Sequence, residues 1–325
     1  MTAVYTWDDI SDEDELGSFG ERMTFKNKQG LNLTGYFWPA EDAKAVVIIN
    51  HGHGSFLPYE YLASQGLGKP SIYKNSWVEK WNLNGYSVCG FDVQSHGRSE
   101  GARGLRWYFE SFDDLVDDLL QFRREEVPKR SAFKNIPVFL CGISMGGCLV
   151  VETLLRVWDL GEFAGAALLS PMLSLEQLAR NPVNRILRPL SSLMNVVWPT
   201  LAAVKVAKNP VFPELQEQFD TDPYTSGNHN TRVRVAVEYL RVTSKLMSEL
   251  SQMKFDFIVF HSKQDTMTDP DGSRALYEKS KASSKTMTSV DSMWHFLTHE
   301  DGNEDVQKSI TSWMESRLHA MQSKI

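Results

Sequence analysis

Apolar and polar residues follow one another along this chain in a pattern that predicts strands alternating with helices. Continuous apolar runs predict strands buried on both faces at residues 45–50, 86–92, 137–143, 163–170 and 255–261. Between these runs apolar residues recur at helical spacing, as Leu115, Leu119 and Phe122 do within a predicted helix over 112–126. This alternation predicts an α/β fold in which a parallel sheet carries helices on both faces.

The same patterns predict the shorter elements around this sheet. Residues 23–25 and 31–38 flank Asn27-Lys28-Gln29-Gly30, which is the arrangement of a β-hairpin. Further helices are predicted at 75–84, 148–157, 273–281 and 305–320, with a short strand near 285–290.

The alternation stops between residues 171 and 251, where the pattern is mostly helical and no comparable apolar run occurs. We therefore predict a mostly parallel central sheet with a helical cap inserted after the sixth strand. The predicted core comprises residues 20–172 and 252–325, and the cap comprises residues 173–251. Residues 1–19 form a predicted acidic amino-terminal arm.

Composition narrows the classes of protein to which the chain can belong. Its 325 residues are 42% hydrophobic and 23% charged, as in a globular protein. The net charge of −7 argues against a nucleic-acid partner, and we interpret the acidic run at 7–15 as a solvated arm. Three cysteines without ligand spacing favour a reducing compartment. Because neither a secretory signal nor an apolar stretch of about 18 residues occurs, we expect a cytoplasmic protein.

The strongest chemical motif is Gly142-Ile143-Ser144-Met145-Gly146, placed between the strand at 137–143 and the helix at 148–157. Glycines at both ends allow the tight turn that exposes a serine hydroxyl at the tip of a strand, as in a nucleophile elbow. The alternative is an ordinary turn in which Ser144 caps the helix. The strand and helix around the motif favour the nucleophile.

A serine nucleophile needs a base, and the base needs an acid to orient it. Asp265 follows the strand at 255–261 and is the predicted acid, with Asp269 and Asp271 as rivals. His295 follows the last predicted strand and is the predicted base, with His299 as its rival. The order Ser, Asp, His along the chain is the one this architecture requires.

The oxyanion of the reaction needs two hydrogen-bond donors. The backbone N–H of Met145, directly after the nucleophile, is one expected donor. The backbone N–H of His53, in the loop after the strand at 45–50, is the other.

A metal site is an alternative use of the histidines in this region. His51, His53, Asp92 and His96 supply suitable ligand types. No completed ligand motif joins them, and a metal site would leave the serine motif unexplained. Cys141 as a nucleophile is disfavoured because it lies inside the strand. We therefore predict neither a metal nor a cofactor.

Four motifs occur in the order in which monoacylglycerol lipases and related lysophospholipases carry them. They are His51-Gly52-His53-Gly54, residues 95–101 with the sequence Ser-His-Gly-Arg-Ser-Glu-Gly, residues 142–147, and Asp220-Thr221-Asp222-Pro223. Over residues 20 to 320 the chain resembles this family of the α/β-hydrolase superfamily. The resemblance implies a triad of Ser144, Asp265 and His295, with the amides of His53 and Met145 as the oxyanion hole. The chain departs from the family after Gly54, where Ser55-Phe56-Leu57 and an insertion replace a short charged loop.

The substrate is expected to lie between the triad and the predicted cap. Expected contacts are Ser55 and Phe56 after the oxyanion loop, Leu193 and Val197 in the cap, and His299. The cap is rich in apolar residues that could line an acyl channel. Basic residues interrupt its apolar run, so we also predict that the cap can contact a membrane surface.

The sequence therefore predicts a serine hydrolase for esters of small acyl molecules, with monoacylglycerol or lysophospholipid as the expected substrate. A short-chain carboxylesterase or an aminopeptidase on the same fold are alternatives. An aminopeptidase would use cap acids, for which Glu214, Glu217, Asp220 and Asp222 are available. A scaffold without catalysis is the alternative from another class.

Overall fold

An eight-stranded sheet forms the centre of the computed structural model, which describes residues 10–176 and 193–323. The strands of the described residues are β1 Glu21–Lys26, β2 Asn32–Trp38, β3 Ala45–Asn50, β4 Tyr86–Phe91, β5 Val138–Ile143, β6 Gly165–Leu169, β7 Ala202–Val204, β8 Thr231–Arg232, β9 Phe257–His261 and β10 Lys285–Ser289. Two of them, β7 and β8, lie outside this sheet. The α-helices with defined bounds are α1 Asp12–Leu16, α2 Leu57–Tyr61, α3 Trp77–Leu83, α4 Phe112–Gln121, α5 Met145–Arg156, α6 Pro213–Thr221, α7 Val233–Glu249, α8 Pro270–Lys279 and α9 Asn303–Gln322.

The strand order in the sheet is β1-β2-β4-β3-β5-β6-β9-β10. The first two pairings, β1 with β2 and β2 with β4, are antiparallel, and the other five are parallel. Every residue of β3, β4, β5, β6 and β9 is buried, which explains their continuous apolar sequences. The predicted hairpin and parallel sheet are confirmed. The carboxyl ends of β3, β5, β6 and β9 therefore meet at one edge of the sheet.

The helix predicted over 112–126 changes its form at residue 122. The α-helix α4 ends at Gln121, and residues 122–126 continue as a π-helix. Pro128 has no N–H to donate to the carbonyl of Arg124, so the regular hydrogen-bond ladder cannot continue through this turn.

The segment between β6 and β9, which we call the insertion segment, is not only helical. Besides α6 and α7 it contains β7 and β8, which pair as a separate antiparallel ladder. These strands have three and two residues, so neither produces the long apolar run from which strands were predicted. Residues 177–192, which include part of the predicted cap, lie outside the described residues.

The acidic run at 7–15 is not solvated throughout, and that expectation is wrong for Glu15. Residues 12–14 are exposed, but Glu15 and Leu16 at the end of α1 are buried. Leu16 packs in the core layer beneath Trp38, whose indole N–H donates to the Leu16 carbonyl at 3.1 Å. Within the described parts of the chain, no helix has the length and apolar character that a membrane span requires.

Candidate active site

Ser144 lies at the tip of β5, where the chain turns into α5. Its φ of 54° is in the left-handed region, and its side chain makes no capping hydrogen bond to the helix. A Cβ on Gly146 would lie 2.4 Å from the Asn50 carbonyl oxygen, so only glycine fits there. The strained, partly exposed serine is therefore presented by its turn and is not used as a helix cap.

Asp265 and His295 are brought together beside this edge of the sheet. His295 Nδ1 lies 2.8 Å from Asp265 Oδ2, and both residues are buried. Asp265 Oδ1 accepts the backbone N–H groups of Met267 and Thr268 at 2.7 and 3.0 Å. This arrangement fixes the carboxylate and leaves Nε2 of the imidazole as the nitrogen available for proton transfer.

The electrostatics of the pair favour an ionised acid. Burial alone would raise the pKa of Asp265, but His295 and His261 hold it well below its usual range. Burial alone would lower the pKa of His295, but the Asp265 carboxylate raises it above its ordinary value. The His295 imidazole is thus more readily protonated than a free histidine.

The alternative acids, Asp269 and Asp271, and the alternative base, His299, have different partners from those of Asp265 and His295. Asp269 caps α8 by accepting the N–H of Asp271 at 3.0 Å, and its other oxygen accepts from Ser174. Asp271 is exposed and pairs with Arg274. The ring of His299 packs against Tyr59, at 5.4 Å between centroids.

The loop that carries His53 passes next to Ser144. A Cβ on Gly52 would lie 3.4 Å from the Ser144 Cβ, so the oxyanion loop and the elbow are in direct contact. Among the described residues, neither the N–H of His53 nor that of Met145 donates a hydrogen bond to the protein. Both amides are therefore available for a ligand near Ser144.

The histidines considered for a metal are engaged with the protein. His51 Nε2 accepts the Val93 N–H at 2.9 Å, and burial lowers its pKa. Asp92 accepts from Leu57 N–H, Arg98 N–H and the Tyr36 hydroxyl at 2.9 Å each. Across residues 10–176 and 193–323, no group of three or more His, Cys, Asp or Glu is arranged to hold a metal ion.

The predicted substrate contacts divide into two groups. Ser55 Oγ and His299 Nε2 are buried atoms without a hydrogen-bond partner among the described residues, and Phe56 packs against Tyr224 at 5.5 Å. Leu193 and Val197 are 63% and 50% exposed. The first group lies in the loops around the triad, whereas the second lies at the molecular surface.

Sequence reasoning missed Glu300, which organises the loop that carries His295. This fully buried carboxylate accepts the N–H groups of Trp294, His295 and Phe296 at 2.5, 3.0 and 2.9 Å. A glutamate five residues after a histidine has no distinctive pattern, so no sequence signal identifies it. His261 is the last residue of β9, and no sequence pattern indicates that its Nε2 lies 3.1 Å from Asp265 Oδ2.

Comparisons with known proteins show which fold and family the chain shares. Caffeoylshikimate esterase of Arabidopsis thaliana is 25% identical over 329 residues, covering 98% of this chain and 93% of the relative. Monoglyceride lipase of Homo sapiens is 26% identical over 298 residues, covering 90% and 89%. The crystal structure of Paleococcus ferrophilus monoacylglycerol lipase has a TM-score of 0.70 at 19% identity, covering 88% of this chain and 99% of that one, and shows the same fold.

The fold, the elements that surround the site and these relatives define an ester-hydrolysing α/β-hydrolase that uses a serine nucleophile. The family described as "Serine aminopeptidase, S33" matches residues 41–302. The chain belongs to this family, and the resemblance predicted from its motifs is confirmed.

Proposed function

We propose that the protein hydrolyses carboxylic esters of medium or long acyl chains, with monoacylglycerols or lysophospholipids as its substrates. The observation that carries this proposal is the buried Asp265–His295 pair at the same edge of the sheet as the turn that presents Ser144. A relative named monoglyceride lipase, aligned over most of both chains, supports the choice of substrate.

In the proposed reaction the Ser144 oxygen attacks the ester carbonyl carbon while His295 Nε2 takes the hydroxyl proton. Asp265 holds the imidazole and stabilises its charge. The N–H groups of His53 and Met145 stabilise the oxyanion. His295 then protonates the leaving alcohol, and water, deprotonated by His295, releases the acid and regenerates Ser144.

The headgroup of the ester is proposed to contact Ser55 and His299. Each has a buried polar atom without a partner among the described residues, and such an atom gains a hydrogen bond when a headgroup hydroxyl binds. Phe56 supplies an apolar wall beside them. This arrangement favours a leaving group that carries hydroxyls.

A fluorophosphonate probe tests the catalytic assignment. We expect stoichiometric labelling of Ser144 in the wild type and none in Ser144→Ala, with kcat reduced about 10⁴- to 10⁶-fold in Ser144→Ala, Asp265→Asn or His295→Gln. A wild type that remains unlabelled would exclude the serine hydrolase and leave a scaffold.

A substrate panel tests the specificity. Monoacylglycerols, lysophospholipids and short p-nitrophenyl esters should be compared with alanine and proline anilides, since the family description names an aminopeptidase. We expect preference for the long-chain esters. Two of the four cap acids support this expectation, because they already have partners in the protein and are less available to bind a substrate amine. Asp220 pairs with Lys208 at 2.8 Å, and Asp222 accepts the N–H groups of Tyr224 and Thr225.

We further propose that the insertion segment forms a cap that contacts a lipid surface. Its exposed apolar strip consists of Leu193, Val196, Val197, Trp198, Leu201, Val204, Val206 and Val211. So many exposed large side chains within 19 consecutive positions are typical of an interaction site, and a lipid surface matches the proposed substrate.

Flotation with phosphatidylcholine vesicles tests this surface. We expect the wild type to bind and Trp198→Ser to bind less, while Trp158→Ser, which removes a 98% exposed tryptophan outside the strip, binds like the wild type. A wild type that stays unbound, or equal loss in both variants, would contradict a membrane-facing strip.

A further inference from the structure

One hydroxyl group touches both residues of the proposed oxyanion hole. The Tyr239 oxygen lies 2.8 Å from His53 Nδ1 and 3.0 Å from Met145 Sδ. Tyr239 belongs to α7 of the insertion segment, and its side chain is buried. A residue far along the chain therefore links the loop after β3 to the first turn of α5.

Hydrogen-bond chemistry gives these contacts a direction. A thioether sulfur can only accept, so the Tyr239 O–H donates to Met145 Sδ. The Tyr239 oxygen then accepts from His53 Nδ1–H, which leaves His53 Nε2 to accept the Thr231 hydroxyl 3.3 Å away. His96 Nε2, at 3.4 Å from His53 Nδ1, is the more distant neighbour of that nitrogen.

The ionisation of both groups is compatible with this chain of bonds. Burial lowers the pKa of His53 to about 4, so its imidazole is neutral near pH 7. Burial raises the pKa of Tyr239 well above its ordinary value, so its hydroxyl keeps the proton that it donates.

The contacts of the His53 side chain affect the position of its backbone amide, which is a proposed oxyanion donor. His53 lies between Gly52 and Gly54, whose carbonyls are held by His51 Nδ1 at 2.8 Å and by the Ser226 N–H at 2.6 Å. The bonds of the His53 side chain add a further anchor at the residue whose amide is the proposed donor. An oxyanion hole depends on donors held within a few tenths of an ångström of their working positions.

We propose that Tyr239 is a positioning residue for the oxyanion hole, in which its hydroxyl holds the His53 loop and Met145 so that their amides converge near Ser144. The inference rests on the proposed function, because it assumes that these two amides receive the oxyanion. It assigns to the insertion segment a part in the chemistry as well as in substrate access.

Tyr239→Phe separates positioning from packing, because the ring keeps its contacts with Phe109 and Phe112. The matched control is Tyr86→Phe, since the Tyr86 hydroxyl has no hydrogen-bond partner among the described residues. We expect Tyr239→Phe to lower kcat about 10-fold with KM changed less than about twofold. The affinity for a long-chain alkyl boronic acid, which mimics the tetrahedral intermediate, should fall by a similar factor.

A second variant tests the same link without changing Tyr239: if Tyr239→Phe is unstable, Met145→Leu alone should still lower kcat with KM little changed, and a Met145→Leu enzyme as active as wild type would overturn the link. Met145→Leu removes the sulfur acceptor at similar volume, and the double variant should lose no more activity than Tyr239→Phe alone, because both changes break one chain of bonds. The positioning role would be overturned if the activity losses of Tyr239→Phe and Met145→Leu were additive in the double variant, or if Tyr239→Phe were as active as Tyr86→Phe. In either case, labelling of Ser144 in the wild type would leave the proposed function intact. An unlabelled wild type would instead remove the proposed function itself.

Discussion

Five polar groups of the protein surround the carboxylate of Asp265. Besides His295 and two backbone amides, the Thr268 hydroxyl lies 2.8 Å and His261 Nε2 3.1 Å from Oδ2. His261 Nδ1 in turn lies 2.7 Å from the Ser273 hydroxyl, which can donate to it and leave the proton on Nε2. A carboxylate in these surroundings stays ionised, so in the proposed reaction the proton taken from Ser144 stays on His295.

This electrostatic arrangement predicts the acid limb of the pH profile. In the proposed reaction His295 must be neutral to accept the Ser144 proton. Its pKa is raised above 6.5, so activity should increase with pH through a midpoint above 6.5. The measurement is kcat/KM against pH with an ester that does not ionise. His319→Gln, which changes an exposed histidine, should leave the profile unchanged. A midpoint below pH 6 would contradict the assignment.

Glu300 predicts a second effect on His295. In Glu300→Gln one oxygen becomes an N–H₂ group that opposes a backbone N–H, so the loop at 294–296 should shift. We expect a loss of about 1–3 kcal/mol in the free energy of unfolding and a several-fold decrease in kcat. Denaturant unfolding and steady-state kinetics measure both.

The control for this prediction is Glu304→Gln, which changes an exposed partner of Lys80. It should leave the free energy of unfolding and kcat close to their wild-type values, because an exposed ion pair contributes little. If Glu300→Gln behaves like Glu304→Gln, Glu300 does not position the base.

At the scale of elements, the sequence predicts most of the fold because the buried strands leave an unmistakable apolar pattern. β3, β5 and β9 were each located to within two residues, and the loops after them hold His53, Ser144 and Asp265. The π-turn after α4, the short β7–β8 ladder and the buried end of α1 were not predicted. Each depends on contacts between distant residues or spans too few positions to show a period.

The elbow allows a sharp prediction about an element. A Cβ at position 146 would meet the backbone of Asn50 and His51 at 2.4–2.7 Å, and backbone cannot move aside cheaply. Gly146→Ala should therefore separate β3 from α5, costing more than about 3 kcal/mol in stability and abolishing labelling of Ser144. Gly161→Ala, in a loop where the new methyl group meets only the Asp159 side chain, is the control. A well-folded, fully labelled Gly146→Ala would contradict the packing of the elbow.

At the scale of the whole molecule, the insertion segment contacts two loops of the candidate site. Tyr239 and Thr231 contact His53, and Asn209 Nδ2 lies 3.4 Å from Glu300 Oε1. Both the proposed oxyanion loop and the loop of the base thus depend on where this segment lies. In the sequence the segment lies between Ser144 and Asp265, but its contacts with the loops of His53 and His295 follow only from the packed structure.

The buried end of the amino-terminal helix carries the last prediction. Arg98 pairs with Glu15 at 3.1 Å, and its guanidinium lies 4.7 Å from the ring centre of Tyr224 in the insertion segment. Arginine stays charged, so Glu15→Gln leaves a largely buried cation without its carboxylate partner. We expect the free energy of unfolding to fall by about 1–3 kcal/mol. Glu13→Gln, exposed on the same helix, should change it by less than about 0.5 kcal/mol. Equal stability of the two variants would mean that the acidic helix is only an appendage, whereas the expected difference makes it part of the framework that joins β2, the loop after β4 and the insertion segment.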